Sequence, residues 1–156
     1  MIYSNEELTL LQGMEGKTLL RVMYHFWVNK TDSIDPLRFL DYMELIFEDQ
    51  SKIIFHRPDE EERISPLTDL KLHELHQEVL QQFKDKIGYV SKDFSGDEVW
   101  KNLIGCPIIS VLLDEEEPRI FTTEALVIET EKDKVLIGLS MHEGLEAGKF
   151  GVVEED

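Results

Sequence analysis

The stretch "MEGKTLLRV", Met14 to Val22, decides how this chain is read, because the chain writes it again as "LIGCPIISV", Leu103 to Val111. Only the glycine and the final valine are identical, yet the apolar positions coincide. The alignment sets Gly16 on Gly105, Leu19 on Ile108, Leu20 on Ile109 and Val22 on Val111. Each glycine suits the left-handed position that ends a helix and lets the chain turn into a strand.

The likeness extends outward from both copies. Upstream of the second lies "FSGDEVWKNLIG" (Phe94–Gly105), in which Ser95 and Glu98 have capping-box spacing and Phe94 and Val99 the spacing of a hydrophobic staple. Upstream of the first, Ser4 and Glu7 repeat the Ser-x-x-Glu signature. Downstream, "ELIFEDQSKIIF" (Glu44–Phe55) reads like "ALVIETEKDKVLI" (Ala125–Ile137), two β-rich runs around a polar turn, with one extra turn residue in the second copy. One helix and three strands bury too little apolar surface to be stable alone, whereas two such units can share a core. The expectation is therefore an α+β protein. It has about six mostly antiparallel strands, arranged as two helix-β-β-β halves, 4–56 and 95–140, related by a pseudo-twofold within a single domain over 1–156.

Within the first long strand, Leu20, Val22, Tyr24, Phe26 and Val28 form an unbroken apolar face by period-two alternation. Between the halves, "DLKLHELHQEVLQQFKDKI" (Asp69–Ile87) carries Leu72, Leu75, Val79, Leu80, Phe83 and Ile87 at helical spacing, and Gly88 follows. It is expected to be the longest helix, 69–87, packed on a sheet. The tail from Gly144, with three glycines and a closing "EED", reads as weakly structured.

Charge narrows the choice of function. Thirty-three acidic residues against sixteen lysines and arginines leave a net charge of −17 over 156 residues. Residues 1–87 contribute −7 and residues 88–156 contribute −10, so the acidity is not confined to a tail. A nucleic-acid phosphate binder relies on the opposite sign, and an anionic membrane surface is disfavoured for the same reason. A basic protein partner fits better. Cys106 is the only cysteine, no secretory leader pattern opens the chain, and no apolar run approaches the length of a spanning helix. Cytoplasmic residence is the expectation.

Motifs for chemistry are scarce. The "HELH" of His73–His76 has i, i+3 spacing where a zinc-protease helix needs i, i+4, and His76 falls within the apolar stripe. Cys106 precedes Pro107 with no flanking Lys or Arg in its strand, so it reads as a packed residue. No phosphate loop, dinucleotide fingerprint or nucleophile–base spacing is present, and neither a metal nor another cofactor is expected. Two acidic runs, Asp59, Glu60, Glu61, Glu62 and Asp114, Glu115, Glu116, Glu117, lack the alternation of a calcium loop. They read as acidic surface able to meet a basic partner. His25 and Trp27 share the second face of the first long strand. With Tyr42 and His56 on the same sheet face, the four would make an aromatic and imidazole cluster of the kind that anchors interfaces. The competing and favoured expectation is that the 69–87 helix covers this face and buries Trp27. The leading functional reading is a non-catalytic acidic interaction module, an inhibitor or immunity-type protein against a basic partner, of open oligomeric state. The alternative is a small-molecule binder with a pocket between the halves, lined by Trp27, Tyr42 and His25. An unrecognised enzyme stands third.

Overall fold

Gly16 and Gly105 both take left-handed backbone, with φ of 85° and 82°, and the chain segments that follow them lie antiparallel, Thr18 opposite Pro107. The computed structural model describes residues 3–29, 38–57, 63–67, 87–117, 120–140 and 144–149. At the crossing the hydrogen bonds come in reciprocal pairs. Gly16 N–H donates to the Ile108 carbonyl (2.8 Å) and Gly105 N–H to the Leu19 carbonyl (2.7 Å). Ile108 N–H donates to Lys17 (2.9 Å) and Leu19 N–H to Cys106 (3.2 Å). Each bond maps onto its mate by the same 89-residue offset that aligns Gly16 with Gly105. The turns before the glycines obey it too: Met14 N–H to Leu11 and Lys17 N–H to Met14 match Leu103 N–H to Trp100 and Cys106 N–H to Leu103.

From this crossing the chain spreads into two antiparallel sheets of five and four strands. The elements are α1 (Asn5–Gln12), β1 (Leu19–Asn29), β2 (Arg38–Phe47), β3 (Lys52–His56), β4 (Ser65–Leu67), β5 (Ile87–Asp93), β6 (Ile108–Glu117), β7 (Ile120–Thr130), β8 (Lys134–Ser140) and β9 (Gly144–Lys149). The first sheet runs β5-β1-β2-β3-β4 and the second β6-β7-β8-β9. Among the described residues, the Thr18–Pro107 bridge and a parallel pairing of Leu40 with Gly144 join them. One core cluster draws on both sheets and both turn segments, including Leu11, Met14, Leu19 and Phe55 from the first half and Trp100, Leu103, Ile108 and Ile137 from the second.

This corrects the α+β, six-strand expectation. The chain is mostly β, with nine strands and one short helix among the described residues. Of the expected connecting helix 69–87 only Ile87 lies within them, and it begins β5 rather than ending a helix. The tail expected to be weakly structured supplies β9.

The helix expected after Ser95 is a run of turns. The Ser95 hydroxyl accepts from Val22 N–H across the chain (3.0 Å), and Asp97 caps Val99 N–H instead (3.0 Å). At the other end, Ser4 and Glu7 do close a capping box, each bond 3.1 Å, and α1 forms. Glu7 also receives the Arg63 guanidinium and the Ser65 hydroxyl, tying α1 to β4. Burial disfavours the Glu7 carboxylate, but these donors outweigh it and hold the group below its ordinary pKa.

Strict alternation also fails at an equivalent position next to the crossing in each half, with further register shifts after His25 in β1 and after Leu113 and Glu115 in β6. Leu19 pairs with Phe47 and Arg21 with Ile46; Ile108 pairs with Thr130 and Ser110 with Glu129. Leu20 and Ile109 are therefore the extra residues of two matching β-bulges, which shift the side-chain phase by one. Leu19 and Val22 are buried while Leu20 is 49% exposed, and Ile108 is buried while Ile109 is 54% exposed. The expected inward pair Leu20–Val22 is corrected to Leu19–Val22. The hairpin alignment moves by two residues as well: Val22 faces Leu45 and Val111 faces Ile128, so Leu45 matches Ile128, and the longer turn belongs to the first copy.

Trp100 is fully buried and its indole N–H donates to the Tyr24 hydroxyl (2.6 Å). Tyr24 stacks on Phe94 at 4.1 Å. Burial, with the nearby Asp97 carboxylate, outweighs the indole donor and pushes the Tyr24 phenol up to about 12. Truncating Trp100 opens a cavity and orphans that hydroxyl, so Trp100→Ala should cost about 3–5 kcal/mol, read from urea unfolding midpoints. Nothing lies within 4 Å of a Cβ built on either Gly16 or Gly105. Gly16→Ala and Gly105→Ala should therefore differ from wild type by backbone strain alone, about 1–2 kcal/mol each. Two equal losses in thermal unfolding would confirm that the sites are equivalent, and a loss at only one would refute it.

Candidate functional site

A row of polar side chains crosses the outer face of the first sheet. Ser91, His25, Tyr42, His56 and Ser65 stand directly opposite one another on β5, β1, β2, β3 and β4. Three of the four residues singled out from sequence, His25, Tyr42 and His56, are thus brought side by side. Trp27 lies further along β1, opposite Phe39 and Tyr89, and its side chain is outside the described residues.

The His25 ring stacks on Tyr42 at 4.1 Å and 15°. Its Nδ1 meets the Ser91 hydroxyl at 2.6 Å and its Nε2 meets Glu44 Oε1 at 3.4 Å. The second Glu44 oxygen pairs with Lys52 Nζ at 3.2 Å. The hydrogen bond from His25 and then Lys52 hold the Glu44 carboxyl below its ordinary pKa, against the opposing effect of burial. Chemically this is a relay of hydroxyl, imidazole, carboxylate and ammonium spanning four strands. It contains the hydroxyl–imidazole–carboxylate sequence of a nucleophilic site, but the carboxylate already has a cationic partner. His25 and Tyr42 are both buried, at 8% and 9% exposure. The arrangement pins β5, β1, β2 and β3 in register.

Sequence reasoning missed Ser91, Glu44 and Lys52. Ser91 lies in a strand that the helical pattern of the preceding segment concealed. Glu44 and Lys52 enter only through cross-strand register, which has no local signal.

The second sheet differs on its outer face. Leu112, Val127 and Leu136 stand opposite one another across β6, β7 and β8. Leu112 and Leu136 are 43% and 37% exposed. The neighbouring row is polar: Ser110, Glu129 and Lys134, with Glu129 bonded to Lys134 (2.8 Å) and to the Ser110 hydroxyl (3.3 Å). Asp114, Glu115, Glu116 and Glu117 form the last part of β6, where their side chains are outside the described residues. Asp59, Glu60, Glu61 and Glu62, like His73 and His76, also lie outside them.

An open cleft of about 150 Å³ lies within the first half, lined by Met14, Phe47, Ile53 and Leu67 with Lys17 and Lys52 at its edge. Lys17 is bonded to Ser51 (2.7 Å). The cleft is smaller than ordinary ligand pockets of about 300–1,000 Å³. Neither Tyr42 nor His25 lines it. Cys106 is buried, its thiol 3.6 Å from the Asn102 carbonyl. Among the described residues no group of three or more metal-ligating side chains converges, and no helix is long and apolar enough to cross a membrane. No family model, curated protein or solved structure matches this chain.

Because Glu44 is held below its ordinary pKa, its contribution to stability is present above about pH 4.5 and lost as pH falls through the folded-state value. Glu44→Gln should therefore flatten the acid limb of a stability-against-pH curve below about pH 5. Parallel curves for the two proteins would show that the His25 and Lys52 contacts do not act on Glu44 in solution.

Proposed function

We infer that this chain is a non-catalytic, cytoplasmic protein-interaction module, of the inhibitor or immunity type, that engages a basic partner through the outer face of its second sheet. The observation carrying this reading is the pair of exposed leucines, Leu112 and Leu136, on either side of the buried Val127 and flanked by the Ser110–Glu129–Lys134 row. An apolar centre within a polar rim is the anatomy of a protein interface. The bulge leaves Ile109 exposed at the start of the same strand. The sign of the partner comes from charge: −17 overall favours a cationic surface and accelerates its approach. The same charge argues against nucleic acid and anionic membranes. The reading of a small-molecule pocket between the halves has less support, because apolar core from both halves packs together where they meet.

Affinity capture with wild type and with the Leu112→Asp/Leu136→Asp double variant tests the reading. Both leucines are substantially exposed, so the variant should melt like wild type. A basic protein retained by wild type at low salt should bind the variant at least ten-fold more weakly, since an anchoring side chain contributes about 2 kcal/mol or more. Binding should also weaken as salt screens the charges. Identical retention by both proteins, or a partner whose binding ignores salt, would remove this surface or this partner class.

A further inference from the structure

In the first half, β1 is flanked on both sides. β2 pairs along one edge and β5 along the other, from Met23–Asp93 to Asn29–Ile87. In the second half β6 is the counterpart of β1 by the 89-residue offset, and among the described residues it pairs as a strand with β7 alone. The stretch of β1 covered by β5 corresponds to β6 from Leu112 to its end at Glu117. The first half has a strand slot filled from within the chain, and among the described residues no strand stands in the equivalent slot of the second half.

The backbone on that side is poised for pairing. In β1, Val22 turns its amide and carbonyl toward the β5 side: its N–H donates to the Ser95 hydroxyl (3.0 Å), and its carbonyl accepts from Phe94 N–H (2.9 Å). By the same offset Val111, and Leu113 two residues on, turn theirs toward the open side of β6. An unpaired edge of this kind is a template for an added strand.

Resting on the interaction reading above, we propose that the open edge of β6 takes up an extended, lysine- or arginine-bearing segment of the partner as an antiparallel strand, as β5 adds to β1. The pairing direction follows from β5. The charge of the occupant follows from Asp114–Glu117 within the exposed span and from the −10 carried by residues 88–156. A second copy of this chain is disfavoured as occupant, because two −17 bodies repel each other.

The test uses the full chain and three capped seven-residue peptides, the length of β5: alternating lysine–valine, alternating glutamate–valine, and alternating lysine–proline. The last keeps the charge but lacks ladder donors at every second position. Backbone hydrogen exchange is followed residue by residue. The lysine–valine peptide should slow exchange across 111–117 by about ten-fold and leave 19–29 unchanged, while the other two peptides should do neither. Glu115→Lys/Glu117→Lys should weaken the lysine–valine effect and admit the glutamate–valine peptide. Protection by lysine–proline equal to that by lysine–valine would reduce the effect to charge and overturn strand addition. Absence of protection by any peptide would overturn it as well. Protection that grows with protein concentration in the absence of peptide would make a second copy the occupant. If Leu112→Asp/Leu136→Asp still abolishes partner binding while no peptide protects β6, the edge proposal falls and the interaction reading stands. If neither experiment shows an effect, both fall.

Discussion

Four backbone hydrogen bonds at the Thr18–Pro107 crossing hold the two halves of this protein in one geometry. They require Gly16 and Gly105 to be left-handed, because that conformation sends each amide across to the other copy while the chain turns into its strand. Directly beneath them lie Leu19 and Ile108, both almost fully buried, with Met14 and Leu103 from the preceding turns. Polar pairing and apolar burial thus fall on the same few residues. A change at either glycine is felt as backbone strain at the crossing, and the rest of each sheet grows outward from this point.

The equivalence of Gly16 and Gly105 was legible in the sequence, though not that the two copies pair with each other, and the reason is physical. Residues at a pseudo-twofold contact must satisfy the same constraint twice, so Met14–Val22 and Leu103–Val111 keep the same apolar pattern even where identities have changed. What was not legible is whatever depends on register. Each matching bulge inserts one residue, Leu20 or Ile109, and reverses the alternation that local pattern predicts. Both inserted residues are apolar, so nothing in the pattern betrays that they point outward. The hairpins were misaligned by two residues, a slip that preserves which face is buried and so leaves no conflict to notice. Ser95 and Glu98 have a capping box's spacing, but the Ser95 hydroxyl is used by Val22, a long-range bond that overrides the local one.

The polar row on the first sheet shows the same division. His25 was identifiable as an odd residue on a strand otherwise rich in apolar and aromatic side chains, and Tyr42 and His56 as its possible neighbours. The cross-strand register then places all three in line. Ser91 and Glu44, which give the imidazole its partners, come from strands on either side of β1. No spacing in the chain connects residues 25, 44 and 91; only the order β5-β1-β2 does. The acidic run Asp114–Glu117 was read only as acidic surface, and its place in the last part of β6 follows from the pairing with β7 rather than from any local signal.

The inside of the protein is nearly symmetric and the outside is not. Equivalent positions in the two halves bury Leu11 and Trp100, Met14 and Leu103, Leu19 and Ile108. On the outer faces the equivalence ends. The first sheet buries His25, Tyr42 and Ile54 and carries β5 on its edge, whereas the second exposes Leu112 and Leu136 and, among the described residues, pairs β6 as a strand with β7 alone. Shared burial explains the symmetry, because both halves must present the same shape to one core. Burial in that core does not require the halves to differ outside it. A folding constraint alone would leave the outer face of the second sheet polar, since exposed apolar rows promote association. Leu112 and Leu136 nevertheless stand exposed there, in the half that carries the larger negative charge, and the interaction proposal rests on that asymmetry rather than on the polar row of the first sheet.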